Sequence, residues 1–208
     1  MKNIKVIGKT ATGKTHTIRE ILLHATPNQT IIVHDVVGNL YKDVKDTLEA
    51  NGYKTRILDM NAEISESGVE ELVREIMSEK TVLFLKSNYQ NSEAANIFAN
   101  KFIERLNAWQ EQQAEKQQIY FFMDEMQNFP LIENLEEVLF NTIGNEMMYI
   151  MFFQSYEQVK LTYDMENYRY KPWTTVVLDE LGEDEKDSIL IDSCLANVYL
   201  ATRKGNRA

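Results

Sequence analysis

Lys2-Asn-Ile-Lys-Val-Ile-Gly8-Lys-Thr-Ala-Thr-Gly13-Lys14-Thr15-His16-Thr-Ile-Arg-Glu-Ile-Leu-Leu-His24 is the stretch that decides the fold. It opens β-rich, closes with apolar residues at helical spacing, and joins the two halves by a loop with a glycine at each end. The string Gly8-Lys9-Thr10-Ala11-Thr12-Gly13-Lys14-Thr15 satisfies the phosphate-binding pattern G-x-x-x-x-G-K-[ST] in full, in the strand, loop, helix setting that the pattern requires. The two glycines let backbone wrap a β-phosphate, while the loop amides and the following helix N-terminus supply positive potential. Lys14 reaches the β- and γ-phosphates and Thr15 offers a hydroxyl to Mg²⁺. His16 stands just past the loop, either against a phosphate or nucleotide or on the helix surface. ATP and Mg²⁺ are the expected ligands.

A metal on those phosphates needs a second anchor, an acidic residue at the carboxyl end of a buried strand. Ile119-Tyr-Phe-Phe-Met-Asp124-Glu125 supplies it. Asp124 is expected to hold the Mg²⁺ shell through water, and Glu125 to orient and deprotonate the attacking water. A further polar residue, Gln154, ends the apolar run 147–153. It either senses a γ-phosphate by hydrogen bonding or simply begins the next helix.

Outward from these motifs, strands are expected at 30–34, 54–58, 81–85, 119–123, 147–153 and 197–200. Helices are expected at 16–24, 40–50, 69–77, 94–112, 131–142 and 156–163. Such alternation implies parallel pairing, hence one α/β domain over 1–208: a three-layer α/β/α, RecA-like P-loop NTPase with a mainly parallel sheet. The stretch 167–186, aromatic at its front and acidic at its back, is expected to be a surface excursion or an interaction flap.

The chain has 208 residues, 44% hydrophobic and 26% charged, with only 8 Gly and 3 Pro, which excludes collagen-like and broadly disordered classes. The longest apolar run, 147–153, is far short of the ~20 residues of a spanning helix. No signal-peptide pattern opens the chain, so a cytoplasmic protein is expected. The single cysteine, Cys194, excludes an internal disulfide and a cysteine zinc site. The net charge of −10 is local: residues 1–123 carry 15 basic and 16 acidic side chains, residues 124–192 carry 4 and 16, and residues 193–208 carry 3 basic ones. Outside Arg203, Lys204 and Arg207 there is no basic stripe of the kind that tracks nucleic acid.

Three further strings carry a family resemblance. They are Ile31-Ile-Val-His-Asp35-Val-Val-Gly38-Asn39-Leu40-Tyr41 with Asn51-Gly52-Tyr53, then Asp124-Glu125-Met-Gln-Asn128-Phe-Pro, then Gln154-Ser155-Tyr-Glu-Gln158-Val-Lys-Leu161-Thr-Tyr163. With the phosphate loop and Asp192-Ser-Cys194-Leu-Ala-Asn they fall in the order seen in TraG-type coupling ATPases of bacterial conjugation and type IV secretion. The chain resembles that branch of the FtsK–HerA motors, reduced to its nucleotide-binding core. The resemblance implies an ATP-driven DNA translocase, a ring of copies, protein partners in a transfer apparatus, and recruitment to the inner face of the membrane by those partners. DNA enters as a partner by resemblance only.

The departures are also specific. The all-α insertion usual between the two nucleotide motifs is missing. Val37 and Asn39 replace the family's Lys and Glu, and Ile143-Gly144-Asn145-Glu146 stands where the family has an Arg-Ser-Arg-Gly element that can supply an arginine finger. Without that charge hydrolysis by this chain alone is expected to be weak. Two alternatives stay open: a nucleotide-binding accessory or regulatory module that binds a protein partner, and a small viral genome-packaging ATPase. A nucleoside kinase, suggested by the Asp-Glu-x-Gln string, fails on cysteine count.

Overall fold

Short apolar strands alternating with amphipathic helices close here into one sheet. A computed structural model describes residues 3–25, 29–87, 92–169 and 173–178. Along them run β1 (Asn3–Ile7), α1 (Lys14–Leu23), β2 (Thr30–His34), α2 (Asn39–Ala50), β3 (Lys54–Asp59), α3 (Glu66–Ser78) and β4 (Thr81–Lys86). There follow α4 (Glu93–Gln112), β5 (Ile119–Met123), α5 (Leu135–Asn141), β6 (Met147–Phe153), α6 (Tyr156–Tyr163) and β7 (Trp173–Val177). The described strands form a 7-stranded sheet, β3-β4-β2-β5-β6-β1-β7, with every neighbouring pair parallel. The architecture is three-layer α/β/α and RecA-like.

Successive side chains of a strand point to opposite faces, so a sheet covered on both sides needs strands that are apolar throughout. β2, β5 and β6 are buried along their whole length. Phe121, Met123, Tyr149, Met151 and Phe153 pack under α3, α4, α5 and α6. Tyr120, Phe122, Met148, Ile150 and Phe152 pack under α1 and α2. Among the described residues no helix is long and apolar enough to cross a membrane.

Local chemistry shifts three boundaries from those expected. α3 begins at Glu66 rather than 69 because the Ser65 hydroxyl accepts the Gly68 N–H and caps the helix. The helix expected at 131–142 begins only at Leu135. Two asparagines of α4 capture the backbone just before it: Asn96 Oδ1 accepts the Leu131 N–H, and Asn100 both donates to the Leu131 carbonyl and accepts the Glu133 N–H. Within 167–186, expected as a surface excursion or an interaction flap, Trp173–Val177 forms a strand paired with β1, with Asn3 opposite Trp173 and Ile7 opposite Val177. Its β-branched Thr-Thr-Val-Val run suits an extended backbone, and the Lys5 ammonium lies 5.3 Å from the Trp173 ring centre. The strand expected at 197–200, the acidic run 179–185, Cys194 and the basic tail lie outside the described residues.

Asn3 joins β1 to its neighbours on the covered side. Its Oδ1 accepts the Tyr149 N–H at 2.9 Å, and its Nδ2 donates to the Leu139 carbonyl and to Thr142 Oγ1, both at 3.0 Å. Asn3→Ala takes its partner from the Tyr149 N–H, while the Thr142 hydroxyl still donates to the Leu139 carbonyl at 2.7 Å, and should lower the unfolding free energy by about 1–3 kcal/mol, read by denaturant titration; a loss near zero would show that water takes over the partner.

His34, the last residue of β2, is fully buried. Its Nδ1–H donates to the Asp124 carbonyl at 2.7 Å, because a carbonyl only accepts, and its Nε2 therefore accepts the Ser87 hydroxyl at 2.8 Å. Burial pulls the imidazole from 6.5 down to about 4, against the upward pull of its bond to Asp124. The folded protein thus keeps His34 neutral where the unfolded chain protonates it. Its contribution to stability is whole above pH 6.5 and drains away between pH 6.5 and about 4. At about 1.4 kcal/mol per pH unit that amounts to about 3 kcal/mol over the window. His34→Asn keeps a donor toward Asp124 and has nothing to titrate, so its unfolding free energy should fall less between pH 7 and 4.5 than the parent's; parallel pH curves would refute the assignment.

Candidate functional site

The loop between β1 and α1 is a tight structure of its own. The Gly8 N–H donates to the Phe153 carbonyl at the end of β6, and both the N–H and the hydroxyl of Thr12 return to the Lys9 carbonyl, at 3.3 and 2.8 Å. Gly8 must lack a side chain, since a Cβ there would lie 2.6 Å from Thr12 Oγ1. Ala11 and Gly13 take positive φ values of 65° and 91°. Gly13 precedes α1, whose first turn has no side-chain cap. Lys14, almost buried, folds its ammonium back over the loop onto the carbonyls of Gly8 and Lys9, at 2.5 and 2.6 Å.

Against this loop stands the end of β5. The Thr15 hydroxyl donates to Asp124 Oδ2 at 2.6 Å across 109 positions of sequence, and the Glu125 N–H donates to Asp124 Oδ1 at 3.1 Å. Burial pushes the Asp124 carboxyl above the usual carboxylate range. The Thr15 hydroxyl opposes that shift, the Glu125 charge adds to it, and the Glu125 amide and Lys14 oppose it again. Glu125 has φ 48°, left-handed for a non-glycine residue. Its two carboxylate oxygens accept from two amides, Oε1 from Gln154 Nε2 at 3.1 Å and Oε2 from Asn128 Nδ2 at 2.7 Å. Gln154 is held in turn. Its N–H donates to Gln158 Oε1, whose own N–H donates to the Ser155 hydroxyl, an arrangement akin to a capping box at the start of α6.

A cavity of about 320 Å³ lies where these pieces meet. Thr10, Ala11, Gly13, Lys14, Thr15 and His16 line it from the loop side, and Asp124, Glu125 and Gln154 from the sheet. Gly8, Lys9 and Thr12 brace the loop beneath. Two larger clefts, about 620 and 410 Å³, lie between α3 and α4 and between α4 and α5. The α3–α4 cleft also carries a lysine, a hydroxyl and two carboxyl groups, Lys101, Ser65, Glu63 and Glu93, but in the smaller cavity such groups converge at the carboxyl ends of β1 and β5, with the Thr15 hydroxyl bonded to Asp124, so placement and not size selects the site. Among the described residues no arginine lines it. The stretch 142–146 precedes β6 and thus lies at the opposite edge of the sheet, where the Asn145 carbonyl accepts from Gln110 Nε2.

Sequence reasoning assigned no role to four neighbours. Asp35 accepts the N–H groups of Gly38 and Tyr41 at 3.1 and 2.8 Å and so shapes the turn into α2, and burial raises its carboxyl against those amides. Asn128 holds Glu125. His34 holds the Asp124 carbonyl from behind, and Ser87 holds His34. A polar residue ending an apolar strand was the available signal for His34; Ser87, past the end of β4, carried none.

Residues 118–186, about a third of the chain, match the family model of the TraM recognition site of TraD and TraG. No curated protein matches the chain. The matched segment contains Asp124, Glu125, Asn128 and Gln154 and relates this chain to the coupling proteins of conjugation.

Proposed function

We propose that the chain binds MgATP in the cavity between the β1–α1 loop and the end of β5, and hydrolyses it as the motor core of a conjugative coupling protein. The observation that carries this reading is the Thr15–Asp124 hydrogen bond: a hydroxyl and a carboxyl, 109 positions apart, meet at 2.6 Å beside Lys14 and Glu125. Their donor set suits a hard divalent cation, which takes oxygen ligands. The curled loop and the uncapped start of α1 suit a phosphate chain.

In this reading Lys14 leaves the Gly8 and Lys9 carbonyls for the phosphates, and its charge offsets theirs. Thr15 and Asp124 hold the metal, which when bound neutralises phosphate charge and polarises the group being transferred. Glu125 accepts a proton from the attacking water. Gln154 gives up its bond to Glu125 Oε1 to meet the γ-phosphate, which couples phosphate recognition to the freeing of the base. His16 stands at the rim. The match of 118–186 to a TraM recognition site supports docking to a protein component of the transfer machinery. DNA as the cargo, assembly of copies into a ring and a cytoplasmic site of action at the inner face of the membrane complete the reading.

Among the described residues no arginine reaches the cavity, which favours a second reading, a nucleotide-binding accessory module with little turnover of its own. Phosphate release from MgATP at several protein concentrations, with and without single- and double-stranded DNA, separates the two. A motor gives DNA-stimulated turnover that rises faster than linearly with protein, whereas an accessory module binds nucleotide with no turnover above Glu125→Gln. Lys14→Ala should abolish nucleotide-dependent thermal stabilisation; retained stabilisation would overturn the site itself.

Asp124→Asn should part stability from binding. Removing a buried carboxyl whose ionisation is disfavoured should leave the nucleotide-free Tm unchanged or higher at pH 7, while Mg²⁺-dependent stabilisation by nucleotide is lost. A lower nucleotide-free Tm would contradict the electrostatic assignment.

A further inference from the structure

Glu125 depends on a backbone conformation that its own side chain does not favour. At φ 48° it lies in the left-handed region, which a non-glycine residue keeps only where its surroundings hold it there. The peptide that links it to Asp124 is gripped at both ends. Its N–H donates to Asp124 Oδ1 at 3.1 Å, and its carbonyl accepts His34 Nδ1–H at 2.7 Å. Of these two bonds the first lies within the turn, while the second comes from another strand, so His34 is the external reference that sets the plane of the peptide.

The imidazole is itself immobilised. Ser87 donates to Nε2 at 2.8 Å, and Phe129 presents its ring 5.0 Å away at 87° to the imidazole plane. The ring has no exposed surface and does not line the cavity, so it has no route to a ligand. Its neighbour Asp35 shapes the turn into α2 through Gly38 and Tyr41. The end of β2 thereby braces two loops of the same sheet edge.

We propose that His34 is a positioning residue: by holding the Asp124 carbonyl it keeps Glu125 left-handed and its carboxylate presented at the cavity between Asn128 and Gln154. The consequence for turnover rests on the ATPase reading above; the consequence for geometry does not.

The test compares the parent with His34→Leu, which removes the donor, and His34→Asn, whose Nδ2 takes the place of Nδ1. Crystal structures give the Glu125 φ, fluorescence titration with a labelled ATP analogue and Mg²⁺ gives affinity, and phosphate release gives kcat and KM. Expected are a Glu125 that leaves the left-handed region in His34→Leu, a kcat lower by roughly 10- to 100-fold as for other small misplacements of a reacting group, nucleotide affinity within about threefold of the parent, and recovery of most of both losses in His34→Asn. A His34→Leu protein that keeps Glu125 left-handed, or keeps kcat, or loses affinity and kcat together overturns the inference, as does an Asn variant no better than Leu. Should His34→Leu not fold, Ser87→Ala loosens the ring from its other nitrogen and should lower kcat in the same direction; an unchanged kcat in that folded variant also overturns it. If the parent neither binds nor hydrolyses MgATP, the ATPase reading fails, and the Glu125 φ alone decides the role of His34.

Discussion

A parallel sheet buried on both faces brings the carboxyl ends of all its strands to one edge, and every feature of the candidate site follows from that constraint. Gly8 follows β1, Asp35 follows β2, Ser87 follows β4, Asp124 follows β5 and Gln154 follows β6. None of these residues is near another in sequence, yet they meet because the strands that carry them are neighbours in the order β4-β2-β5-β6-β1. The position of β6 between β5 and β1 matters most. It spaces Asp124 from the loop by one strand, which leaves room for the cavity, and it places Gln154 where it reaches Glu125.

The same edge carries buried titratable groups. Asp35 and Asp124 are buried carboxyl groups pushed up by desolvation, and His34 is a buried imidazole pulled down by it. Each is held by specific hydrogen bonds, without which burial of a polar group costs more than it returns. Positive φ values at Ala11 and Glu125 add backbone strain at two places on the cavity wall. Asn134, Glu146 and Asp164 also take positive φ, and Asn3, Gln110 and Asn145 are buried polar residues away from this edge; at the cavity wall, strain and buried polarity coincide with a lysine, a hydroxyl and adjacent carboxyl groups.

The relation to conjugative coupling proteins and the shape of the cavity bear on different parts of the reading. The matched segment 118–186 takes in the acidic turn, β6 and α6 but not the phosphate loop. The nucleotide assignment therefore leans on the geometry that ties loop to turn, above all the Thr15–Asp124 contact. The stretch 142–146 lies at the edge of the sheet away from the cavity and supplies no cation. Under a ring arrangement only a neighbouring copy could bring that edge near a nucleotide, and its exposed residues there are Gly144 and Glu146, not arginine.

Much of this was legible in the sequence because the signals are local. The G-x-x-x-x-G-K-T string encodes a loop whose glycines answer to backbone sterics, and the apolar runs encode strands whose period follows from pleating. That Asp124-Glu125 and Gln154 stand at the carboxyl ends of strands could be read from where the apolar runs stop. What the sequence alone left undecided was set by contacts over long separations. The helix expected from 131 waits until Leu135 because Asn96 and Asn100, on a different helix, take its backbone groups. The strand at Trp173–Val177 pairs with β1, some 170 positions away in sequence with Asn3 opposite Trp173, a partner that no local periodicity announces. His34 and Ser87 became part of the site only when parallel pairing set β2 between β4 and β5, since a hydrogen bond to the Asp124 carbonyl depends on strand order and register, and neither is written in any one segment of the chain.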